Sequence, residues 1–143
     1  MLYLDTSALI KRYVDKPGSP ALLEFVTKHQ IVATCLISRA EAAVAFSRAA
    51  RTGSLSKLEA ETSYRAFVRE WKIHVRIRIN EPLIARADGL AWEMGLRGYD
   101  AVHLAAALEW LDHFGSSVVV ATYDRTLWSA AAKADVDRFP ATL

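Results

Sequence analysis

Four acidic residues in this 143-residue chain share a setting in which they could do chemistry together. Asp5 follows the apolar run Leu2-Tyr3-Leu4, and Glu41 lies just beyond the apolar run Ile31 to Ile37. Asp100 opens the segment Ala101 to Leu108, and Asp124 follows Val118 to Ala121. Each lies where a strand ends or a helix begins, the place at which open α/β sheets gather their ligands. A plainer reading competes at every position. Asp caps helices and offsets their positive amino ends, and Glu41 completes a capping box in Ser38-Arg39-Ala40-Glu41. Capping alone does not explain why acids from four well-separated parts of the chain take these junctions while neutral caps are avoided. If they converge, each close pair repels by roughly 4 kcal/mol at about 4 Å and an effective dielectric near 20. A multivalent cation resolves that conflict. Oxygen-only ligands favour a hard ion, Mg²⁺ or Mn²⁺, over zinc, and such an ion lowers the pKa of a bound water and stabilises in-line displacement at a phosphodiester. His103 shares a helical face with Asp100 and reads as packed in or beside the core. His29, His74 and His113 have no acidic neighbours at zinc-ligand spacing.

The elements that must position these acids are read from hydrophobic periodicity. Leu2 to Leu4 is a strand apolar on both faces, as a covered parallel sheet requires, and it hands over to a helix carrying Ala8, Leu9, Ile10, Tyr13 and Val14. Gly18-Ser19-Pro20 reads as a helix start with Ser19 as cap and Pro at the first helical position. Ile31 to Ile37 is a second buried strand. Ser38 opens a helix ended by Gly53, and the next helix places Leu55, Leu58, Tyr64, Phe67, Val68 and Trp71 on one face, so the two form an amphipathic hairpin. From His74 to Ile79 the apolar residues alternate with His74, Arg76 and Arg78, the pattern of an edge strand with one wet face. Asn80-Glu81-Pro82 starts a helix broken by Gly95 and Gly98. The helix begun by Asp100 is apolar on nearly every side and must be central. Val118 to Ala121 is a buried strand, Leu127 to Ala134 a helix, and Val136 to Phe139 a last short strand. This alternation predicts a three-layer α/β/α sandwich with a mainly parallel sheet, residues 1–143 forming a single domain.

The net charge of +2, from 18 Lys and Arg against 16 Asp and Glu, does not by itself announce a nucleic-acid partner. Setting the four candidate acids aside from the 16 leaves 12, a mildly basic body around an acidic centre, which suits a phosphate chain. Arg12, Arg39, Arg48, Arg51 and Arg97 lie near the candidate acids as possible backbone contacts, each also readable as an ordinary surface arginine. Tyr99 and Tyr123 each directly precede an acid and are candidates to stack on a base, core packing being the plainer reading. The single Cys35 rules out an intrachain disulfide and points to a reducing cytosol. No run approaches the about 18 uncharged residues of a membrane span, and the amino end lacks the charged region and cleavage site of a signal peptide. The expectation is a soluble, cytoplasmic protein.

Asp5-Thr6-Ser7-Ala8-Leu9, Ser38-Arg39-Ala40-Glu41, Leu96 through Ala105 and Thr122 through Leu127 resemble, in order and over essentially the whole chain, the successive motifs of PIN-domain ribonucleases. The resemblance is particularly to VapC-type toxins of toxin-antitoxin pairs. It implies a metal-dependent endoribonuclease with Asp5, Glu41, Asp100 and Asp124 as the acidic site, Mg²⁺ or Mn²⁺ bound there, and Ser7 and Thr122 supporting it through hydroxyl contacts. It further implies an RNA substrate, a cognate antitoxin and a homodimer. No acid of the family pattern is missing, while Asp88 and Glu93 fall off it and read as solvated charges. A phosphoacceptor receiver domain would need adjacent acids after the first strand and a Lys after the last full strand, where this chain has Thr6 and Thr122-Tyr123-Asp124. The remaining alternative is a catalytically silent PIN-fold interaction module, against which the intact acid set argues.

Overall fold

The computed structural model describes residues 1–115 and 117–143, and in them strands and helices alternate. The order is β1 (Leu2–Leu4), α1 (Thr6–Ile10), α2 (Ser19–Thr27), β2 (Val32–Cys35), α3 (Ser38–Arg51), α4 (Lys57–Glu70), a 3₁₀ turn (Trp71–Ile73), β3 (Val75–Ile77), α5 (Glu81–Met94), α6 (Gly98–Phe114), β4 (Val119–Ala121), α7 (Arg125–Lys133) and β5 (Asp137–Phe139). The strands form one parallel sheet in the order β3-β2-β1-β4-β5. The chain builds outward from β1 to β3, then returns to the other side of β1 for β4 and β5. The strand order therefore reverses between β1 and β4, where the Asp5 amide donates to the Ala121 carbonyl at 3.1 Å. A reversal of this kind leaves a crevice beyond the strand carboxyl ends.

The two-residue period of β1 divides the core. Tyr3 points to one face, where Cys35 and Val120 meet Leu83 of α5, Leu104 of α6 and Leu127 of α7. Leu2 and Leu4 point to the other, against Leu9, Leu22, Phe46 and Phe67 of α1 to α4. Helices cover both faces, so both sets of strand side chains leave water, each fully buried Leu contributing about 1.5–3 kcal/mol. Within α6 the residues Ala101 to Ala107 are all buried, because its run of alanines lets the backbone lie close to the sheet and to α5. The α/β/α sandwich and the edge position of β3 agree with the sequence reading.

Several local expectations are corrected. The first helix stops at Ile10, short of Tyr13 and Val14. Gly18, not Ser19, occupies the cap of α2, with a left-handed φ of 88° that favours glycine. The Ser19 hydroxyl instead donates to the Val14 carbonyl at 2.8 Å. Gly98 does not break a helix but opens α6, so Asp100 is the third residue of the helix rather than its start. His74, assigned to the wet side of an edge strand, is 3% exposed, and Leu58, assigned to the apolar face of α4, is 74% exposed. The Ser38-Glu41 capping box is absent: the α3 cap is Ile37, without a side-chain bond. Thr34 spends its hydroxyl proton on the Leu4 carbonyl at 2.7 Å, so the buried Ser38 hydroxyl donates to Thr34 Oγ1 at 2.7 Å. A competing buried acceptor has drawn the serine away from the helix end. The capping box the chain does form is at Ser56 and Glu59 of α4.

Candidate active site

Asp5 comes off the end of β1 and caps α1, its Oδ1 accepting from the Ala8 amide at 2.8 Å. Thr122, at the end of β4, donates to Asp5 Oδ2 at 2.7 Å. The Ser7 hydroxyl donates to the same carboxylate at 2.8 and 2.9 Å and accepts from the Tyr123 amide at 2.7 Å. Ser7 and Thr122 thus stand against Asp5 and fix its plane. Burial nevertheless pushes the Asp5 carboxyl above its ordinary range, with His103 and these hydrogen bonds pulling the other way.

Asp100 projects from the first turn of α6 toward the same crevice. Its Oδ2 is buried and has no hydrogen-bond partner among the described residues. Burial raises its pKa, the charges of Asp124 and Asp5 raise it further, and Arg97 and His103 oppose the shift. Asp124 caps α7, its Oδ1 accepting from the Thr126 and Leu127 amides at 2.7 and 3.1 Å. The capping reading is therefore correct for Asp5 and Asp124 as far as it goes, and both are also within electrostatic reach of Asp100.

Glu41 has a different neighbourhood. It sits in the first turn of α3 and accepts from the Thr6 hydroxyl and from His103 Nε2, the latter at 2.9 Å. His103 Nδ1 lies 2.7 Å from the Tyr3 hydroxyl. An ionised carboxylate only accepts, so Nε2 must carry the proton. Nδ1 then accepts from Tyr3 when the ring is neutral and donates to it when the ring is charged. Burial tends to raise the Glu41 pKa, but the hydrogen bond from His103, its charge and the Thr6 hydroxyl outweigh burial and hold it below the usual carboxylate range. His103 is both a core residue and a member of the site. Thr6 and Tyr3 were missed by the sequence reading, although Thr6 stands inside the first motif; which hydroxyl faces which acid depends on how α1, α3 and α6 pack.

The cations near the site separate into two kinds. Arg12 is tied down, its guanidinium donating to His74 Nε2 and lying 3.9 Å from Glu70, and Arg39 lies 5.9 Å from the Trp71 ring centre. Arg97 acts on Asp100, and Arg48 lines a hollow beside Glu41. Lys11 and Lys16, which the sequence reading passed over, line a second hollow that reaches Ser7.

The PIN domain family profile matches residues 2–133. The chain belongs to the PIN domain family. Ribonuclease VapC45 of Mycobacterium tuberculosis (strain CDC 1551 / Oshkosh) is 29% identical over 143 residues, covering 100% of this chain and 97% of that protein. FitAcB from Neisseria gonorrhoeae has a TM-score of 0.68 at 18% identity, covering 97% of this chain and 96% of that one. VapBC-1 from nontypeable Haemophilus influenzae has a TM-score of 0.64 at 18% identity, covering 96% of each. At those identities the two structures speak for the fold.

PIN-domain ribonucleases generally depend on a divalent metal. Among the described residues of this PIN chain, no three His, Cys, Asp or Glu side chains are gathered as a ready-made ligand set. Glu41 is turned to Thr6 and His103, and Asp124 to its helix end. The donor chemistry nevertheless fits a hard cation, since the acids offer only oxygen and the buried Asp100 Oδ2 lacks any other partner. None of the helices described is long and apolar enough to cross a membrane.

Proposed function

We propose that this chain is a divalent-metal-dependent endoribonuclease, one nuclease domain over residues 1–143, acting in the cytoplasm as the toxin of a toxin-antitoxin pair. The observation that carries the reading is the unpartnered, buried oxygen of Asp100 in a crevice where burial, Asp124 and Asp5 already raise its pKa. An arrangement that costs stability when empty is what a cation site leaves behind. Asp5, Asp100 and Asp124 hold Mg²⁺ or Mn²⁺, with Glu41 as the fourth acid and Ser7 and Thr122 as the hydroxyls that orient Asp5. When bound, the ion supplies an activated water and charge stabilisation at the scissile phosphate. His103 and Thr6 hold the Glu41 pKa below the usual carboxylate range against burial and fix the orientation of its carboxylate. Arg97, beside Asp100, is placed to meet a phosphate oxygen.

Full-length similarity to a protein named as a VapC ribonuclease supports RNA as substrate, and fold neighbours that include a toxin-antitoxin complex from Klebsiella pneumoniae support a cognate antitoxin. Exposed Leu58 on α4 and the hollow between α3 and α4 lined by Phe46, Ala60 and Tyr64 leave apolar surface for a second copy of the chain, a homodimer that light scattering at micromolar concentration would detect. Cleavage of RNA with added Mn²⁺ or Mg²⁺, its loss in EDTA and its loss in Asp100→Asn are the expected results. No cleavage under any ion would favour the silent interaction module, whereas metal-independent cleavage would overturn the metal dependence.

A further inference from the structure

We propose that Tyr99 is a nucleobase-stacking residue that seats one base of the RNA beside the acids; this rests on the ribonuclease reading above. The structure separates the two tyrosines that precede site acids. Tyr123 is engaged in the fold: its hydroxyl donates to the Gly18 carbonyl at 3.0 Å, and Lys11 Nζ covers its ring at 4.2 Å from the centre. Its ring also fills the space where a Cβ on Gly18 would stand, 2.8 Å from the nearest ring carbon. The Tyr99 hydroxyl makes no hydrogen bond among the described residues, and the residue is 61% exposed. It occupies the first turn of α6, immediately before Asp100.

Its surroundings suit a base. Tyr99 lines a hollow of about 370 Å³ with Ile37, Ala40, Val44 and Arg48, and the site acid Glu41 is part of the same lining. The volume lies within the range of small-ligand sites, about 300–1,000 Å³. The lining offers an aromatic face, aliphatic side chains and one cation, a combination that holds a flat π-system and the phosphate attached to it. Among the described residues two other large aromatic side chains are exposed, Trp92 on α5 and Phe114 at the end of α6, and the hollow that Phe114 lines holds Glu109 instead of a site acid. A base on Tyr99 would place its backbone against Glu41 and Asp100 and so register the strand for cutting.

The test uses the full chain with Mn²⁺ and a short RNA whose cut position has been mapped. Tyr99→Ala is expected to raise KM about 10-fold or more, the lower part of the range for one stacked base, with kcat within about 3-fold of wild type. Tyr99→Phe and Tyr99→Trp should retain wild-type KM, because stacking needs the ring and not the hydroxyl. RNAs carrying an abasic nucleotide at successive positions identify the seated base. At one position near the cut, loss of the base should weaken wild type by a similar factor and leave Tyr99→Ala no worse. The proposal is overturned if Tyr99→Ala leaves KM unchanged, if Tyr99→Phe loses as much as Ala, or if every abasic effect adds fully to that of Tyr99→Ala. It is equally overturned if Tyr99→Ala spares RNA cleavage and weakens only inhibition by the antitoxin, which would make this face a protein-docking surface. Absence of cleavage by wild type would instead defeat the ribonuclease reading itself.

Discussion

Replacing Glu41 by Gln isolates the charge of one of the two site acids that do not cap a helix, Asp100 being the other. The wild-type carboxylate accepts from Thr6 and, at 2.9 Å, from His103. A hydrogen bond to a charged group contributes about 1.5–3 kcal/mol and a neutral one about 0.5–1.5. The Gln side-chain oxygen still accepts one of these bonds, so the expected loss is about 1 kcal/mol, a fall of roughly 3–4 °C in Tm for a chain of this size. The loss has a pH signature. The folded pKa of Glu41 lies below its ordinary 4.5, so its ionised form stabilises the fold above that value and the contribution disappears as pH falls through the folded pKa. Wild type and Glu41→Gln should therefore differ at pH 7 and converge in acid. In activity, removing an anionic oxygen beside the site should lower Mn²⁺-dependent RNA cleavage at least about 100-fold, on the order of 2.7 kcal/mol of transition-state stabilisation. Ser38→Ala is the control. It loses a buried bond to Thr34, costing about 1 kcal/mol, and should keep most activity. The variants are assayed together for thermal midpoint and initial rate. Near wild-type cleavage by Glu41→Gln would refute the reasoning and leave Glu41 a structural partner of His103.

Asp100→Asn should abolish cleavage yet leave the protein in EDTA as stable as wild type or slightly more so, since it removes a charge that burial, Asp124 and Asp5 all penalise; a large fall in Tm in EDTA would contradict this. At a Mn²⁺ concentration about 100 times its Kd, wild type should gain about 2.7 kcal/mol of stability, a gain that Asp100→Asn should lose in differential scanning fluorimetry. Tyr3→Phe strips the hydroxyl from His103 Nδ1 and should cost about 1–3 kcal/mol in chemical denaturation, with the Glu41 contact left in place and cleavage lowered less than in Glu41→Gln. Burial first, and the neighbouring Arg12 charge second, hold His74 down at about 4 instead of 6.5. The unfolded chain takes up the proton first, so stability should fall as pH drops from about 6.5 to about 4, by at most about 3 kcal/mol, and pH-resolved urea titrations of His74→Gln should show that limb flattened.

The sheet, its flanking helices and all four acidic positions could be read from residue order because each depends on patterning that local sequence carries. A strand covered on both faces must be apolar throughout, as Leu2 to Leu4 and Val118 to Ala121 are, and an all-apolar helix such as α6 must be central. Cap chemistry was less legible. Ser38-Arg39-Ala40-Glu41 satisfies the capping-box pattern as well as Ser56-Lys57-Leu58-Glu59 does, yet only the second forms the box. At the first, Thr34 and His103, 4 and 62 residues from their partners, compete for the same side chains. His74 shows the same limit, since its alternation with Val75 and Ile77 says nothing of the Arg12 and Trp71 that close over it.

What the sequence by itself determined is therefore the set of chemical groups and the junctions that carry them: a carboxylate after β1, another after β4, and one in the first turn of α3 and of α6. Tertiary structure alone decided how those groups divide. Parallel pairing of β1 with β4 sets Asp5 against Thr122, and the packing of α6 over Tyr3 drives His103 between the sheet and α3, so that Glu41 is held ionised while Asp100 keeps an unpartnered oxygen. The physical reason is range. Backbone propensity and hydrophobic period act over a few residues, whereas the bonds that set Thr6 on Glu41 and Thr122 on Asp5 join side chains 35 and 117 positions apart.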